Sequence, residues 1–201
     1  MKLGELVDII GGGTPNRKNE SYWNGNINWI TVKDFKSNYI TSSEETITEN
    51  GLKSSAAKLI PKGNVIIPTR MALGKVAINL IDVAINQDLK ALIIKDSSIL
   101  DTHYLFYYLK SKSNYIESRG KGATVKGITI DVISKMDIKL PNLSEQKKIV
   151  NILRTAQELI EKRKYQIVCV KFFSIGFKYR VFQDTLFVHF RPPYLLVFLA
   201  Q

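Results

Sequence analysis

The stretch PNLSEQKKIVNILRTAQELIEKRKYQIV, residues 141–168, marks a change in the character of the chain. It opens with a proline, Ser144 is placed to cap a helix, and Glu145 and Gln146 follow in the first turn. The spacing of its apolar and small residues predicts a long helix with one apolar stripe. The members of the stripe recur at intervals of three and four: Ile149, Ile152, Leu153, Ala156, Leu159, Ile160 and Ile167.

A helix of this length has more apolar surface than a small preceding domain can cover. The pattern therefore favours a second helix as its partner. We assign residues 142–184 to a spacer and dimerisation helix, with the stripe as its seam. The alternative is that the helix folds back over its own domain.

The residues before this helix have the composition of an α+β domain. DTHYLFYYLKSKSNYIES, residues 101–118, has helical spacing, with Asp101 as its N-cap. Residues 1–141 are thus predicted to form a domain with a mixed twisted β-sheet and helices. Its β-branched and alternating runs predict strands in INWITV (27–32), VIIPT (65–69), KVAINLI (75–81), ALIIK (91–95) and MDIKL (136–140).

The rest of the sequence favours a cytoplasmic protein. The N-terminal residues lack the charged and apolar regions of a signal peptide. A single cysteine, Cys169, suits a reducing compartment. Residues 185–201 form an apolar tail of unknown role, and their apolar run from Tyr194 to Ala200 is shorter than the roughly 20 residues that span a membrane.

The charge balance favours a polyanionic partner. The chain has 29 Lys and Arg against 18 Asp and Glu, a net charge of +11. The excess is present both before and after residue 140. Each phosphate that such a surface neutralises releases condensed counterions, which favours binding to nucleic acid. A basic surface that serves only solubility is the alternative.

The loop RGKGATVKG, residues 119–127, is the first candidate for contact with DNA. Its glycines allow a close approach of the backbone, while its Arg, Lys and Thr side chains can bond to phosphates or base edges. GGGTP, residues 11–15, is a candidate phosphate cradle through its N–H groups. Each loop could instead be an ordinary solvated turn. The full set of predicted DNA-binding residues is Thr14, Lys18, Lys33, Arg70, Lys75, Gln87, Arg119, Lys121, Thr124 and Lys126.

The sequence gives no candidate for catalysis or metal binding. It has no paired acidic motif of a metal-dependent nuclease and no His/Cys cluster with zinc spacing. RPPY, residues 191–194, lacks the Asn or Asp that an adenine methyltransferase motif would place before its prolines. Two alternatives to a DNA-reading module stay open, an enzyme with an unfamiliar site and a protein that only docks other proteins.

Seven segments, in order along the chain, resemble one half of a type I restriction–modification specificity subunit. The most specific is the LPxLxEQ helix start after a GxTxxxI loop. The segments are GGGTP (11–15), YWNGNINWITVKDF (22–35), ITENGLKSSAAKLIPKGNVIIPTRMALGKVAI (47–78), INQDLKAL (85–92), YLFYYLKS (104–111), GATVKGI (122–128) and IKLPNLSEQKKIVNIL (138–153).

The resemblance implies a division of labour between subunits. In that family each recognition domain reads one half of a split double-stranded DNA site, and the helix that follows pairs with its counterpart in an antiparallel coiled coil. Methyltransferase subunits bind this scaffold and methylate adenine with S-adenosylmethionine, and endonuclease subunits can join them. The chain itself is then expected to hold no cofactor and to catalyse nothing.

The sequence departs from the family in having one recognition domain where a full subunit has two in tandem. Residues 185–201 resemble no second domain. We therefore expect two copies to pair through residues 144–182, as a homodimer that reads a palindromic split site.

Overall fold

The structure is a computed structural model that describes residues 1–122 and 125–178, with side chains up to residue 169. Thr124 and the predicted tail, 185–201, lie outside the described residues. The chain divides into two compact units, residues 1–153 and 154–201. The α+β fold class predicted from the sequence is confirmed, with two mixed sheets where one was expected.

The first sheet has five strands and follows a short helix, α1 (Leu3–Leu6). All neighbours in it are antiparallel except its last pair, β7 and β3, which are parallel. The strand order is β1 (Val7–Gly11), β9 (Leu89–Ile94), β6 (Val65–Pro68), β7 (Ala77–Asn79) and β3 (Tyr39–Ile40).

The second sheet has four strands. A short helix, α2 (Glu49–Lys53), follows its edge strand β4 in the chain. Its two central strands, β2 and β8, are parallel, and its other pairs are antiparallel. The strand order is β4 (Glu45–Ile47), β2 (Trp23–Ile30), β8 (Val83–Ile85) and β5 (Leu59–Ile60).

The central strands are apolar on both faces because each face meets a different core. In β6, Ile66 belongs to the cluster that also contains Ile85 of the second sheet. Its neighbours Val65 and Ile67 belong to a cluster with the helices on the other side. Successive side chains of a strand point to opposite faces, so a strand buried on both sides is a continuous apolar run. This explains the VIIP sequence of β6.

Three helices cover the outer face of the first sheet: α3 (Thr102–Ser111), α4 (Ser113–Ser118) and α5 (Ile130–Ser134). Asp101 is the N-cap of α3, as predicted, and accepts hydrogen bonds from the N–H groups of His103 and Tyr104 at 2.9 and 3.0 Å. The single helix predicted over residues 101–118 is wrong in one respect, because Lys112 separates α3 from α4.

The strand predicted at 136–140 is also wrong. Met136 and Ile138 are buried, as the alternation suggested. Their only ladder partner in the described part of the chain is the extreme N-terminus, through Leu3 N–H to Met136 O and Ile138 N–H to Met1 O. The N-terminal residues enter α1 at Leu3, so the pairing ends after one bridge and no strand forms.

Helix α6 (Leu143–Lys178) begins one residue later than the start assigned from the sequence, residue 142. The side chain of Asn142 accepts a hydrogen bond from the N–H of Glu145 at 3.0 Å, so Asn142, and not Ser144, is the cap. The predicted residues 179–184 of this helix lie outside the described residues.

Gln146 anchors the first turn of α6. Its side chain is fully buried, accepts from Asp101 N–H at 2.9 Å, and donates to the carbonyls of Ile99 and Pro141 at 2.8 Å each. Val150, one turn later, is buried as well. The start of α6 therefore belongs to the same compact unit as the sheets.

Replacement of Gln146 by Ala should lower the free energy of unfolding by at least about 2 kcal/mol, because it leaves polar backbone groups without their partner. Chemical denaturation measures this change. Gln157→Ala is the matched control: Gln157 bonds to Glu161 within the same helix at an exposed position, so its loss should cost less than about 0.5 kcal/mol. Equal losses for the two variants would show that the anchor does not stabilise the domain.

Candidate nucleic-acid interface

A buried polar turn, Asn86 to Asp88, joins β8 of the second sheet to β9 of the first. The N–H of Asn86 donates to Ile30 O at 3.0 Å, and its side chain accepts from Asp88 N–H at 3.1 Å. Asp88 O accepts from both the N–H and the hydroxyl of Thr69, at 2.7 and 3.1 Å. These bonds leave Gln87, between the two buried residues, exposed on the surface.

Two loops lie side by side near this turn: one begins at Arg70, and the other ends at Gly127. Arg70 and Lys121 each form an antiparallel bridge with Gly127. Ile128 N–H donates to Thr69 O at 2.9 Å, and the N–H of the residue after Arg70 donates to Lys126 O at 3.3 Å. The loop predicted to contact DNA, residues 119–127, is thus a neighbour of Arg70, which was predicted separately as a DNA-binding residue.

Contacts at this turn bring five of the predicted site residues together. The hydroxyl of Thr14 donates to the side-chain oxygen of Gln87. Arg70 forms an ion pair with Asp88, 3.6 Å between Nη1 and Oδ1. We call the exposed set the recognition corner: Thr14, Arg70, Gln87, Lys121 and Lys126.

Lys90 lies beside the recognition corner. Its ammonium group donates to the carbonyls of Gln87 and Leu89, at 2.9 and 3.1 Å. Burial lowers the pKa of Lys90, and the nearby carboxylate of Asp88 acts in the opposite direction. Lys90 therefore stabilises the polar turn through these hydrogen bonds, and its ammonium group is less available to a ligand.

Arg119 belongs to the same loop as Lys121 and is exposed. Its guanidinium lies 5.0 Å from the ring centroid of Tyr115, a cation–π contact at the end of α4. Thr124, the remaining predicted residue of this loop, lies outside the described residues.

Lys18, Lys33 and Lys75 lie in other segments. The ammonium of Lys75 donates to Phe35 O at 3.4 Å, in an open cavity of about 410 Å³ that Lys36 and Lys110 also line. Across residues 1–122 and 125–169, none of the three predicted lysines forms a hydrogen bond or ion pair with the recognition corner. All three are exposed.

The GGGTP loop packs closely against β8, and one N–H of the phosphate cradle expected from the sequence, that of Gly13, already has a partner within the protein. A Cβ on Gly12 would lie 1.9 Å from Ile85 O. The N–H of Gly13 already donates to Ile85 O at 3.0 Å, and its carbonyl accepts from the indole of Trp29 at 3.0 Å. The glycines therefore allow the loop to approach β8, while Thr14 carries the exposed hydroxyl.

Sequence reasoning missed two features near these loops. Arg17 forms an ion pair and hydrogen bond with Glu45, which raises the pKa of Arg17 and lowers that of Glu45. The guanidinium of Arg17 also lies 3.8 Å from the ring centroid of Trp23. Met71, next to Arg70, is exposed and has a positive φ of 65°. Neither an aromatic contact across a loop nor a left-handed backbone has a local sequence signal.

The described residues were also searched for metal and membrane features. No three His, Cys, Asp or Glu side chains among them form a group that could hold a metal ion. No helix in the same part of the chain combines the length and apolarity needed to cross a membrane.

A two-sheet scaffold that presents Arg, Lys, Gln and Thr side chains at one corner has the chemistry of a recognition module, which contacts phosphates and base edges. The comparisons with known proteins narrow this class. Residues 1–168 match the family model described as type I restriction modification DNA specificity domain. The chain belongs to this family of type I restriction–modification specificity subunits.

Two specificity subunits illustrate the relationship. The MjaIX subunit of Methanocaldococcus jannaschii is 33% identical over 170 residues, which are 82% of this chain and 39% of that protein. The EcoR124I/EcoR124II subunit of Escherichia coli is 35% identical over 158 residues, 75% of this chain and 39% of that protein. This chain thus spans about two fifths of the length of these relatives.

Solved structures show the same fold. The HsdS subunit from Thermoanaerobacter tengcongensis superposes with a TM-score of 0.66 at 26% identity, over 83% of this chain and 38% of that one. A chain from a study of complex assembly and conformational transition in a type I restriction–modification system gives a TM-score of 0.68, also at 26% identity, over 83% of this chain and 40% of that one.

Gly12→Ala should destabilise the domain by about 1–3 kcal/mol, because the added methyl group meets the backbone of β8. Gly11→Ala is the control within the same run of glycines, since its Cβ would lie 3.4 Å from the flexible end of Lys90. Thermal unfolding of both variants measures the difference. If Gly12→Ala is as stable as the wild type, the packing role assigned to this loop is wrong.

Proposed function

We propose that this chain is a non-catalytic DNA-specificity subunit that reads one half of a bipartite double-stranded site. The observation that carries the proposal is the recognition corner, where three separate loops and the turn between the sheets place exposed Arg, Lys, Gln and Thr side chains together. It lies within the residues that match the specificity-domain family.

The chemistry of the corner suits both kinds of DNA contact. Arg70 and Gln87 can make paired hydrogen bonds to guanine and adenine edges, respectively, in the major groove. Lys121 and Lys126 can neutralise phosphates, which sets affinity and register without reading sequence. The other predicted residues extend the contact along the duplex in this proposal: Lys18, Lys33, Lys75, Arg119 and Thr124.

For the wild-type chain, the logarithm of the DNA-binding constant should fall linearly with the logarithm of the salt concentration, because neutralised phosphates release counterions. Lys126→Ala should lower affinity for all sequences and reduce that slope by about one. Arg70→Ala should lower affinity most for the preferred sequence. A gel-shift or fluorescence titration across a salt series measures both effects.

Lys95→Ala is the matched control for this titration. Lys95 pairs with Asp8 at 3.6 Å and donates to Gly4 O, so it belongs to another part of the surface and its loss should change affinity little. Binding that is absent or insensitive to salt, even with methyltransferase subunits present, would contradict DNA reading. It would favour the alternative of a protein that only docks other proteins.

The stripe on α6 supports a scaffolding role. The leucines and isoleucines of its middle part, Ile152, Leu153, Leu159, Ile160 and Ile167, are between 40% and 69% exposed. Ala156 is exposed as well, and Ile149 is half-buried. A row of large apolar side chains in water favours association with another helix.

We infer that the partner is a second copy of this chain, in an antiparallel coiled coil through residues 144–182. Two copies would supply two recognition domains, one for each half of a split site. The recognition domain would then be residues 1–141 and the spacer helix 142–184. Methyltransferase subunits with S-adenosylmethionine would modify adenine on this scaffold, endonuclease subunits could join them, and the assembly would act in the cytoplasm.

Leu153→Asp and Leu159→Asp should abolish pairing, because each places an unpaired carboxylate in the seam. Sedimentation or light scattering at micromolar concentration reports the mass. Asn151→Asp is the control, as residue 151 lies on the side of the helix away from the stripe. A wild-type chain that is strictly monomeric, alone and with DNA, would contradict the dimer.

A further inference from the structure

We propose that Asp88 is a positioning residue that holds the guanidinium of Arg70 for reading a guanine in the half-site. The inference rests on the proposed function, since it concerns how the recognition corner distinguishes bases. In this inference Arg70 is the specificity-determining side chain of the recognition corner. Asp88, a buried acid for which the sequence predicted no role, orients the Arg70 side chain.

The first step is the burial of Asp88. The residue is only 4% exposed, and a buried carboxylate needs a compensating charge or hydrogen bonds. Its Oδ2 has a long contact of 3.4 Å with the side-chain nitrogen of Gln87. Its Oδ1 has no hydrogen-bond partner in the described part of the chain. Arg70 forms the ion pair with this atom, at 3.6 Å, and Lys90 is a second cation near the carboxylate.

The second step is the rigidity of Asp88 itself. Its N–H and carbonyl are both bonded, to the side chain of Asn86 and to Thr69. The carboxylate therefore sits at a fixed point below the surface. Since Thr69 directly precedes Arg70, the bonds that hold Asp88 also set where the arginine leaves the backbone.

The third step is the confinement of the arginine stem. A Cβ on Gly127 would lie 3.3 Å from Cγ of Arg70, so the stem passes closely over a residue that has no side chain. The Arg70 side chain is nevertheless 56% exposed, with Nη1 turned toward Asp88. A guanidinium has five N–H donors, so an ion pair with Nη1 leaves others to meet O6 and N7 of guanine.

The negative charge of Asp88 distinguishes a role in orienting Arg70 from a role in attracting DNA. A carboxylate near DNA repels phosphates, so Asp88 adds nothing to sequence-independent binding. Its contribution is to limit the directions that the Arg70 side chain can take before DNA binds, which favours one base edge over the others. Removal of this acid should therefore change selectivity without weakening attraction to the duplex.

The experiment selects duplexes from a library with a randomised half-site, using the full chain with and without methyltransferase subunits. The wild-type chain should prefer guanine at one position. Arg70→Lys, which keeps the charge and loses the planar fork, should reduce that preference by between about 5-fold and about 150-fold. Asp88→Asn should reduce the preference at the same position by about 10-fold.

The variants carry their own controls. Affinity of Asp88→Asn for random duplex at low salt should be unchanged or higher. Asp8→Asn is the matched control, since Asp8 also lies 3.6 Å from a cation, Lys95, but away from the recognition corner, and it should keep the wild-type preference. Asp88→Asn combined with Arg70→Lys should be no less selective than Arg70→Lys alone, because the acid acts through the arginine.

Three results would overturn the inference. Wild-type preference retained by a folded Asp88→Asn variant would do so, as would an equal loss at every position of the site, which a purely structural role predicts. A selective wild-type chain that prefers no guanine would also do so. A wild-type chain that selects no sequence at all would instead show that the proposed function itself is wrong. If Asp88→Asn fails to unfold cooperatively, Asp88→Ser, which is smaller and also removes the carboxylate, carries the test and should show the same loss of preference.

Discussion

The hydrogen bonds of Asn86, Asp88 and Thr69 are the constraint on which the candidate interface depends. These residues are buried and polar, so their groups need partners within the protein. They find them in one another and in Ile30 O, across the junction of the two sheets. The pairing sets the turn that exposes Gln87 and the point where the chain leaves β6 toward Arg70.

The same constraint explains why separate loops meet. Thr69 uses its N–H and hydroxyl on Asp88 and its carbonyl on Ile128, so the segment after Gly127 is tied to the end of β6. The side chains of the proposed recognition corner are then carried by short loops whose ends are fixed by a rigid scaffold. The first turn of α6 is fixed to this unit in a comparable way, by the three hydrogen bonds of Gln146.

The sequence predicted those parts of the fold that depend on local patterns. The β-branched run of β6, the capped start of α3 and the three- and four-residue spacing of α6 all have local causes, and the structure shows these elements. The division into two sheets has none, because it depends on which strands pair across the chain. Residues 136–140 alternate like a strand, yet form none, because the N-terminal backbone that pairs with them enters a helix after one bridge.

The candidate site shows the same limit. Exposed basic loops were visible in the sequence, whereas the contact of Thr14 with Gln87 joins residues 73 positions apart. The importance of Asp88 depends on its burial, and that of Gly12 on the distance to Ile85, neither of which composition reveals. Glycine runs and acidic residues in loops therefore needed the structure before a role could be assigned.

The proposed function is that this chain directs methyltransferase subunits to their DNA site. The most direct measurement is a genome-wide map of methylated adenine in cells that express the methyltransferase subunits with and without the chain. The account predicts methylation at one bipartite, palindromic motif that disappears when the chain is absent. Methylation that is unchanged by removal of the chain would contradict it.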